Sequence, residues 1–321
     1  MSHALIADLG GTNARFAVVS LNEYQPQKVE VFACNEFDSF FSAASQYLDV
    51  CSLSIKDLDA VVLAIAGPVN QEIIKFSNNP WSFTKKDIES FFGETVQVAL
   101  LNDFDAIGYS LDVLSTNEYI QIGEGQPVDA MSPAWVVGPG TGLGVACVVP
   151  QTNINLILPG EAGHVDVASC TPQEDYILAF LRERHGRVSA ERVLSGMGLE
   201  NIYEALAKRS GIDQRLSAKE VGDAFLNQDP LACAAFEQFF MYLGRVVGDL
   251  ILNVESRGGV FIAGGIVPRY LAQFQASNFR QVMQEKGRMS DFVGNIPVFV
   301  ITAEYPGLMG CANYASYLAA E

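Results

Sequence analysis

The stretch that most constrains the fold runs from Ala4 to Val19, ALIADLGGTNARFAVV. Ala4 to Leu9 is apolar except for one acid, Asp8. Gly10-Gly11-Thr12-Asn13 follows, and Phe16-Ala17-Val18-Val19 is apolar again. Two apolar runs around a glycine-containing turn read as a β-hairpin. Gly10 and Gly11 leave no Cβ in the way of a ligand. Thr12 and Asn13 add a hydroxyl and an amide beside bare backbone N–H groups, and such a concavity suits an anion such as phosphate. Asp8, at the strand end, is placed to face a metal ion on that phosphate through water. The same residues also make an ordinary hairpin turn, and on this stretch alone the two readings stand level.

A second stretch of the same form, Ala134 to Val149 (AWVVGPGTGLGVACVV), lies about 130 residues on and points to an internal duplication of one supersecondary unit. Gly138, Gly140, Gly142 and Gly144 alternate with other residues. That density exceeds ordinary turn chemistry, since each glycine weakens a strand. No Gly-Lys-Ser/Thr follows, so this is not a Walker A loop. The next element is a strand, so it is not a dinucleotide fingerprint.

Between the two hairpins the pattern is that of an α/β domain. Strands are predicted over Lys28 to Ala33, Asp59 to Ala66 and Val96 to Phe104, and helices over Phe40 to Val50 and Lys85 to Phe92. A polar loop, Ser77 to Trp81, precedes the second helix. The strand at Val96 runs into Asn102-Asp103, and ligands of open α/β sheets bind beyond the carboxyl ends of strands. Asp103 can equally be the N-cap of a helix from Asp105 to Asp112.

Beyond Val149, Glu161 and His164 sit among small residues in LPGEAGHVD; a carboxylate and an imidazole both accept hydrogen bonds from sugar hydroxyls. Zinc would need further ligands, and Cys170 alone is near. Ser189 reads as the N-cap of a helix with Glu191 as a first-turn acid. Ser195-Gly196-Met197-Gly198 reads as a break before a helix from Leu199 to Lys208. Phe236, Phe240, Leu243, Val247, Leu250 and Val254 form one buried stripe of a long helix, serving either the core or a dimer. Gly244 and Gly248 in it predict close packing against a neighbour. Gly264-Gly265, after the strand at Val260, bares backbone that can accept a flat ring such as adenine or only turn a corner. A terminal helix, Met309 to Ala320, is expected to return to the first domain.

Net charge is −17 over 321 residues, which argues against binding a nucleic-acid backbone but not against a nucleotide held by local N–H groups and Mg²⁺. Phe236 to Val254 carries Glu237, Arg245 and Asp249, so it is no membrane span. The six cysteines show no CxxC spacing and read as reduced thiols of a cytosolic protein.

Six motifs now stand in one order: DLGGTNAR (8–15), LNDF (101–104), GPGTGLG (138–144), PGEAGH (159–164), SAERVLSG (189–196) and GGVFIAGGIVPR (258–269). Together they resemble the bacterial glucokinase family of the hexokinase–actin ATPase superfamily, over nearly the whole chain. The resemblance implies two α/β domains of ribonuclease-H-like topology with an interdomain cleft, here 1–108 plus 302–321 and 109–301. It implies that ATP, with Mg²⁺, phosphorylates glucose at its 6-hydroxyl, the first step of glycolysis, in a cytoplasmic homodimer. Asp103 would be the general base and Asn102 a sugar-binding neighbour. Glu161, His164 and Glu191 would bind other sugar hydroxyls. Asp8, Gly10, Gly11, Thr12 and Asn13 would form the first phosphate loop, with Asp8 facing Mg²⁺ through water. Gly138, Gly140, Thr141 and Gly142 would form the second, and Gly264 and Gly265 would lie near the adenosine. VDVASCTPQEDY after His164 holds one cysteine, which disfavours the zinc-bearing subgroup. The alternatives are a kinase for another hexose or amino sugar, a non-catalytic sugar sensor, and an actin-like ATPase.

Overall fold

Strand β1 (His3–Leu9) is buried on both faces, and its period of two sorts its side chains. Leu5, Ala7 and Leu9 face one core; Ala4 and Ile6 face another. Asp8 continues the side of Ala4 and Ile6, and there the apolar run meets the turn. The computed structural model describes residues 3–21, 23–76, 79, 81–158 and 160–320. Ser77, Asn78 and Pro80 of the expected polar loop, and Pro159 of PGEAGH, lie outside the described residues.

The chain divides into two units. The first takes Met1–Thr116, Gln151–Ile157 and Ala303–Glu321; the second takes Asn117–Pro150 and Leu158–Thr302. In the first, β1 pairs antiparallel with β2 (Asn13–Ser20), which pairs antiparallel with β3 (Gln27–Ala33). On its other side β1 pairs parallel with β4 (Leu58–Ile65). A short ribbon, β5 (Ile74–Lys75) with β6 (Ser82–Phe83), follows β4. Then β7 (Gln97–Asn102) joins β4 in parallel, giving the order β3-β2-β1-β4-β7. One face carries helix α1 (Phe40–Cys51), entered through a Ser39–Ser42 capping box, and α2 (Lys85–Phe92), capped by Thr84 and Asp87. The other carries α3 (Asp103–Ser110) and the terminal helix Pro306–Leu318. That second face is built from small residues, among them Ala4, Ala17, Ala60, Ala64 and Ala99, so the helices approach the sheet closely.

The six-stranded sheet has the order β11-β10-β9-β12-β13-β8; β8 (Tyr119–Gln121), β9 (Ala134–Pro139), β10 (Leu143–Val149), β12 (Val260–Ile262) and β13 (Val298–Ile301) belong to the second unit, while β11 (Leu156–Leu158) falls across the division after Ile157. With β8 set aside, both sheets run third, second, first, fourth, fifth strand. This is the repeat that the two glycine hairpins pointed to. The second unit's longer helices are α4 (Pro172–His185), α5 (Gly196–Arg209), α6 (Ala218–Leu226) and α7 (Pro230–Asn253). Along α7, Phe236, Phe240, Leu243, Val247 and Leu250 of the expected stripe are buried, with Phe239, Tyr242, Val246 and Ile251 besides; Val254 is half-buried just past the helix end. The helix is therefore enclosed on a wide face and the stripe is core. Cβ atoms on Gly244 and Gly248 would lie 2.6 Å from the Phe279 carbonyl oxygen and 2.5 Å from that of Met283, so the helix Phe279–Gln284 is the close neighbour. Among the described residues no helix is long and apolar enough to cross a membrane.

Candidate active site

In the first unit the parallel strands end side by side. Asp8 stands opposite Ala64, and Ile65 opposite Asn102, so Asp8, Asn102 and Asp103 gather at the carboxyl ends of β1, β4 and β7. Across the hairpin Asp8 stands opposite Arg15, whose Nη1 donates to Asp8 Oδ2 at 3.1 Å. Burial raises the Asp8 carboxyl above its ordinary range while the Arg15 guanidinium pulls it down; 28% of the side chain stays exposed. Thr12 and Asn13 are exposed at the tip. Gly10 N–H donates to the Asn13 carbonyl at 3.0 Å, and Cys34 N–H to the Thr12 carbonyl at 2.9 Å.

Asn102, not Asp103, caps α3. Its Oδ1 accepts the Phe104 N–H at 2.9 Å and its Nδ2 donates to the Gly67 carbonyl at 3.2 Å. The helix therefore begins at Asp103 rather than Asp105, and ends at Ser110 rather than Asp112. Two acceptors compete for this cap, and the Gly67 carbonyl selects the residue that also carries a donor. Asp103 is the first helical residue, half-buried. Burial, then the negative charge of Asp8, push its carboxyl up to about 6, against the stabilising Phe104 N–H. Asp105, not singled out in the sequence, is also pushed up to about 6 by burial, offset by the Asn102 N–H.

In the second unit β9 and β10 close on the second glycine turn, with Gly138 directly opposite Gly144. Gly140 N–H donates to the Gly142 carbonyl, and Gly196 N–H to the Gly140 carbonyl, both at 2.8 Å. Gly196 is the first residue of α5, whose cap Ser195 accepts the Gly198 N–H. The Ser195–Gly198 segment is thus not a break: it opens the helix at Gly196 instead of Leu199. Gly264 has φ +79°, and a Cβ there would sit 2.5 Å from the Pro139 carbonyl oxygen, so the turn after β12 lies directly on the turn after β9. Two bare turns and a helix N-terminus meet here, a backbone surface suited to phosphate.

Beside it lie the residues expected to read hydroxyls. Glu161 and His164 flank the 3₁₀ turn Ala162–His164, with His164 Nε2 3.8 Å from Glu161 Oε2, both side chains mostly exposed. Glu191 belongs to a single 3₁₀ turn, Ala190–Arg192, not to the helix expected after Ser189. The two turns adjoin, held by Ala190 N–H on the Val165 carbonyl at 2.9 Å. Glu191 Oε2 accepts the Leu143 N–H at 3.0 Å, which ties it to the glycine turn. The first unit thus holds Asp8, the 10–13 turn, Asn102 and Asp103, and the second holds the rest. Arg15 escaped notice in the sequence, although 8 and 15 are equidistant from the turn, a count that finds the pair.

The family model for glucokinase matches residues 5–318. The glucokinase of Pectobacterium atrosepticum is 38% identical over 98% of this chain and 97% of its own. A crystal structure of glucokinase from an Antarctic psychrotroph superposes with a TM-score of 0.86 at 32% identity, covering 98% of each chain. A glucokinase from Balamuthia mandrillaris, solved in complex with glucose, shares the fold at a TM-score of 0.81 and 19% identity, covering 98% of this chain and 93% of its own. A match of this extent, on a chain whose glycine turns and carboxylates gather at strand ends, places it: the chain belongs to the glucokinase family and is an enzyme that phosphorylates glucose.

Proposed function

We propose that the enzyme transfers the terminal phosphoryl group of ATP to the 6-hydroxyl of glucose, with Asp103 as general base. The observation that carries this reading is the Asp103 carboxylate, half-buried at the mouth of the parallel strands and raised to about 6. It is ionised at neutral pH yet basic enough to take a hydroxyl proton as the bond to phosphorus forms. Asn102 braces the same corner and offers its amide to the sugar. In the second unit, Glu161, His164 and Glu191 bind the other hydroxyls as hydrogen-bond acceptors.

The turn Gly10–Asn13 and the turn Gly138–Thr141–Gly142 hold the phosphates by backbone N–H groups, and Gly264 and Gly265 border the adenosine. Phosphoryl transfer depends mostly on such positioning and charge stabilisation. Asp8 keeps a partly exposed, hard oxygen donor at the strand end, which suits Mg²⁺ held through water. When bound, that ion neutralises phosphate oxygens.

The shared strand order of the two sheets supports a ribonuclease-H-like topology for each unit. The family resemblance supports a cytoplasmic homodimer working at the entry to glycolysis. The test is a coupled assay for glucose 6-phosphate with ATP and Mg²⁺, run with glucose, mannose, fructose and N-acetylglucosamine. Glucose-selective turnover is expected, and equal turnover on an amino sugar would overturn the acceptor assignment. Light scattering reads the dimer.

A further inference from the structure

We propose that Asn79 is a positioning residue for the first phosphate loop: it holds the Gly10 carbonyl back, so that the loop's N–H groups face the anion. The inference rests on the reading of residues 10–13 as a phosphate loop.

In a closed two-residue hairpin the Gly10 carbonyl would accept the Asn13 N–H. Here it accepts from Asn79 Nδ2 at 3.3 Å instead, with Cys34 Sγ 3.7 Å away. The amide orientation of Asn79 is fixed by its other end, because Oδ1 accepts the Trp81 N–H at 2.8 Å. An N–H requires an oxygen there, so Nδ2 must face Gly10. Trp81 is an anchor in its own right, 2% exposed, with Nε1 donating to the Phe37 carbonyl at 3.0 Å.

A peptide unit is planar and trans, so its C=O and N–H point in opposite directions. Fixing the Gly10 carbonyl toward Asn79 turns the Gly11 N–H the other way. The Thr12 carbonyl is likewise held by Cys34 N–H, which turns the Asn13 N–H away. Two alternate carbonyls pinned on one side leave two alternate N–H groups on the other, the arrangement that binds an anion. Asn79 lies outside the loop, as does Cys34, whose Sγ also reaches the Gly10 carbonyl, and Asn79 makes the shorter contact and can be changed without altering the loop itself.

The experiment compares Asn79→Ala and Asn79→Asp with the unaltered enzyme. It measures the affinity for a non-hydrolysable ATP analogue and for glucose by calorimetry, together with KM for ATP, kcat and Tm. The Asp variant keeps the acceptor for Trp81 N–H and serves if the Ala variant does not fold. Its added charge is separated by working at low and high salt, since a charge effect is screened and an orientation effect is not. Nucleotide affinity is expected to fall about 5–10-fold, the loss of one oriented hydrogen bond, at both salt concentrations, with glucose affinity unchanged. Equal losses of nucleotide and glucose binding would overturn the proposal, as would unchanged nucleotide affinity. Gly11→Val, run in parallel, separates the two levels. If it weakens nucleotide binding and the Asn79 variants do not, only the role of Asn79 falls. If Gly11→Val has no effect, the loop reading falls and takes this proposal with it.

Discussion

The Glu191 carboxylate and the Leu143 N–H are joined at 3.0 Å, which ties a residue expected to read sugar to the strand that leaves the second glycine turn. The space between them is filled. A Cβ on Gly142 would lie 2.5 Å from Glu191 Oε2. Gly142→Ala therefore has to push Glu191 off its hydrogen bond, although Ala is smaller than almost any other substitute. The expected result is a glucose Kd raised about 5–30-fold, the cost of about 1–2 kcal/mol for a broken charged hydrogen bond, with the fold retained. Calorimetric titration with glucose checks it.

Asp103 gives a pH dependence in two measurements. As the proposed base it must be ionised, so kcat/KM for glucose should fall with decreasing pH through about 6. Asp103→Asn should lower turnover by about 10²–10⁴-fold while glucose still binds. Stability moves the opposite way. A carboxyl raised in the folded state favours the fold when protonated, and that contribution is lost as pH rises through about 6. Asp103→Asn is therefore expected to be more stable than the unaltered enzyme at pH 7.5, by on the order of 1–3 kcal/mol, and no more stable near pH 4. Thermal melts at the two pH values decide it.

Much of this was legible because the local signals are local physics. The apolar run of Ala4–Leu9, meeting Gly10 and Gly11, placed Asp8 at a strand end, and the helix expected over Lys85 to Phe92 stands at those bounds. What stayed illegible was decided by distant partners. Asn102 and Asp103 are equally good caps in sequence, and only the Gly67 carbonyl, 35 residues earlier, favours the amide. The helix expected after Ser189 stops at one turn. A Cβ on Gly198 would meet the Val193 backbone, showing how tightly the chain doubles back there. Two glycines argued against a helix at Gly196–Gly198, yet the Ser195 cap and the Gly140 carbonyl supply what the glycines lack.

Glu174 and Arg245 form a buried pair that fixes the start of α4. Glu174 is fully buried; Oε1 accepts from Arg245 Nε at 2.8 Å and Gln238 Nε2 at 3.2 Å, and Oε2 accepts the Cys170 and Thr171 N–H groups. Arg245→Leu leaves that carboxylate without its cation and is expected to cost about 3–5 kcal/mol. Adding Glu174→Gln to Arg245→Leu should recover part of it. Denaturant unfolding of the single and double variants measures the coupling.

The terminal helix tests how Asp103 is held. In the first unit, Gly310 of that helix sits against the Ala106 carbonyl of α3, and a Cβ would overlap that oxygen outright. The surroundings give no room: Ala106, Cys311, Ala312 and Ala315 are all fully buried. The overlap is with backbone, so no rotamer change relieves it, and either the terminal helix or α3 must shift. Since α3 begins at Asp103, the proposed base moves with it. Gly310→Ala is thus expected to destabilise by about 1–3 kcal/mol or more and to lower kcat, because misplacement by about 1 Å can cost on the order of 10²-fold. Gly307→Ala, at a position in the same helix where a Cβ meets nothing within 4 Å, should leave both unchanged. If both variants behave alike in melting and turnover, the packing of the terminal helix does not set the position of Asp103.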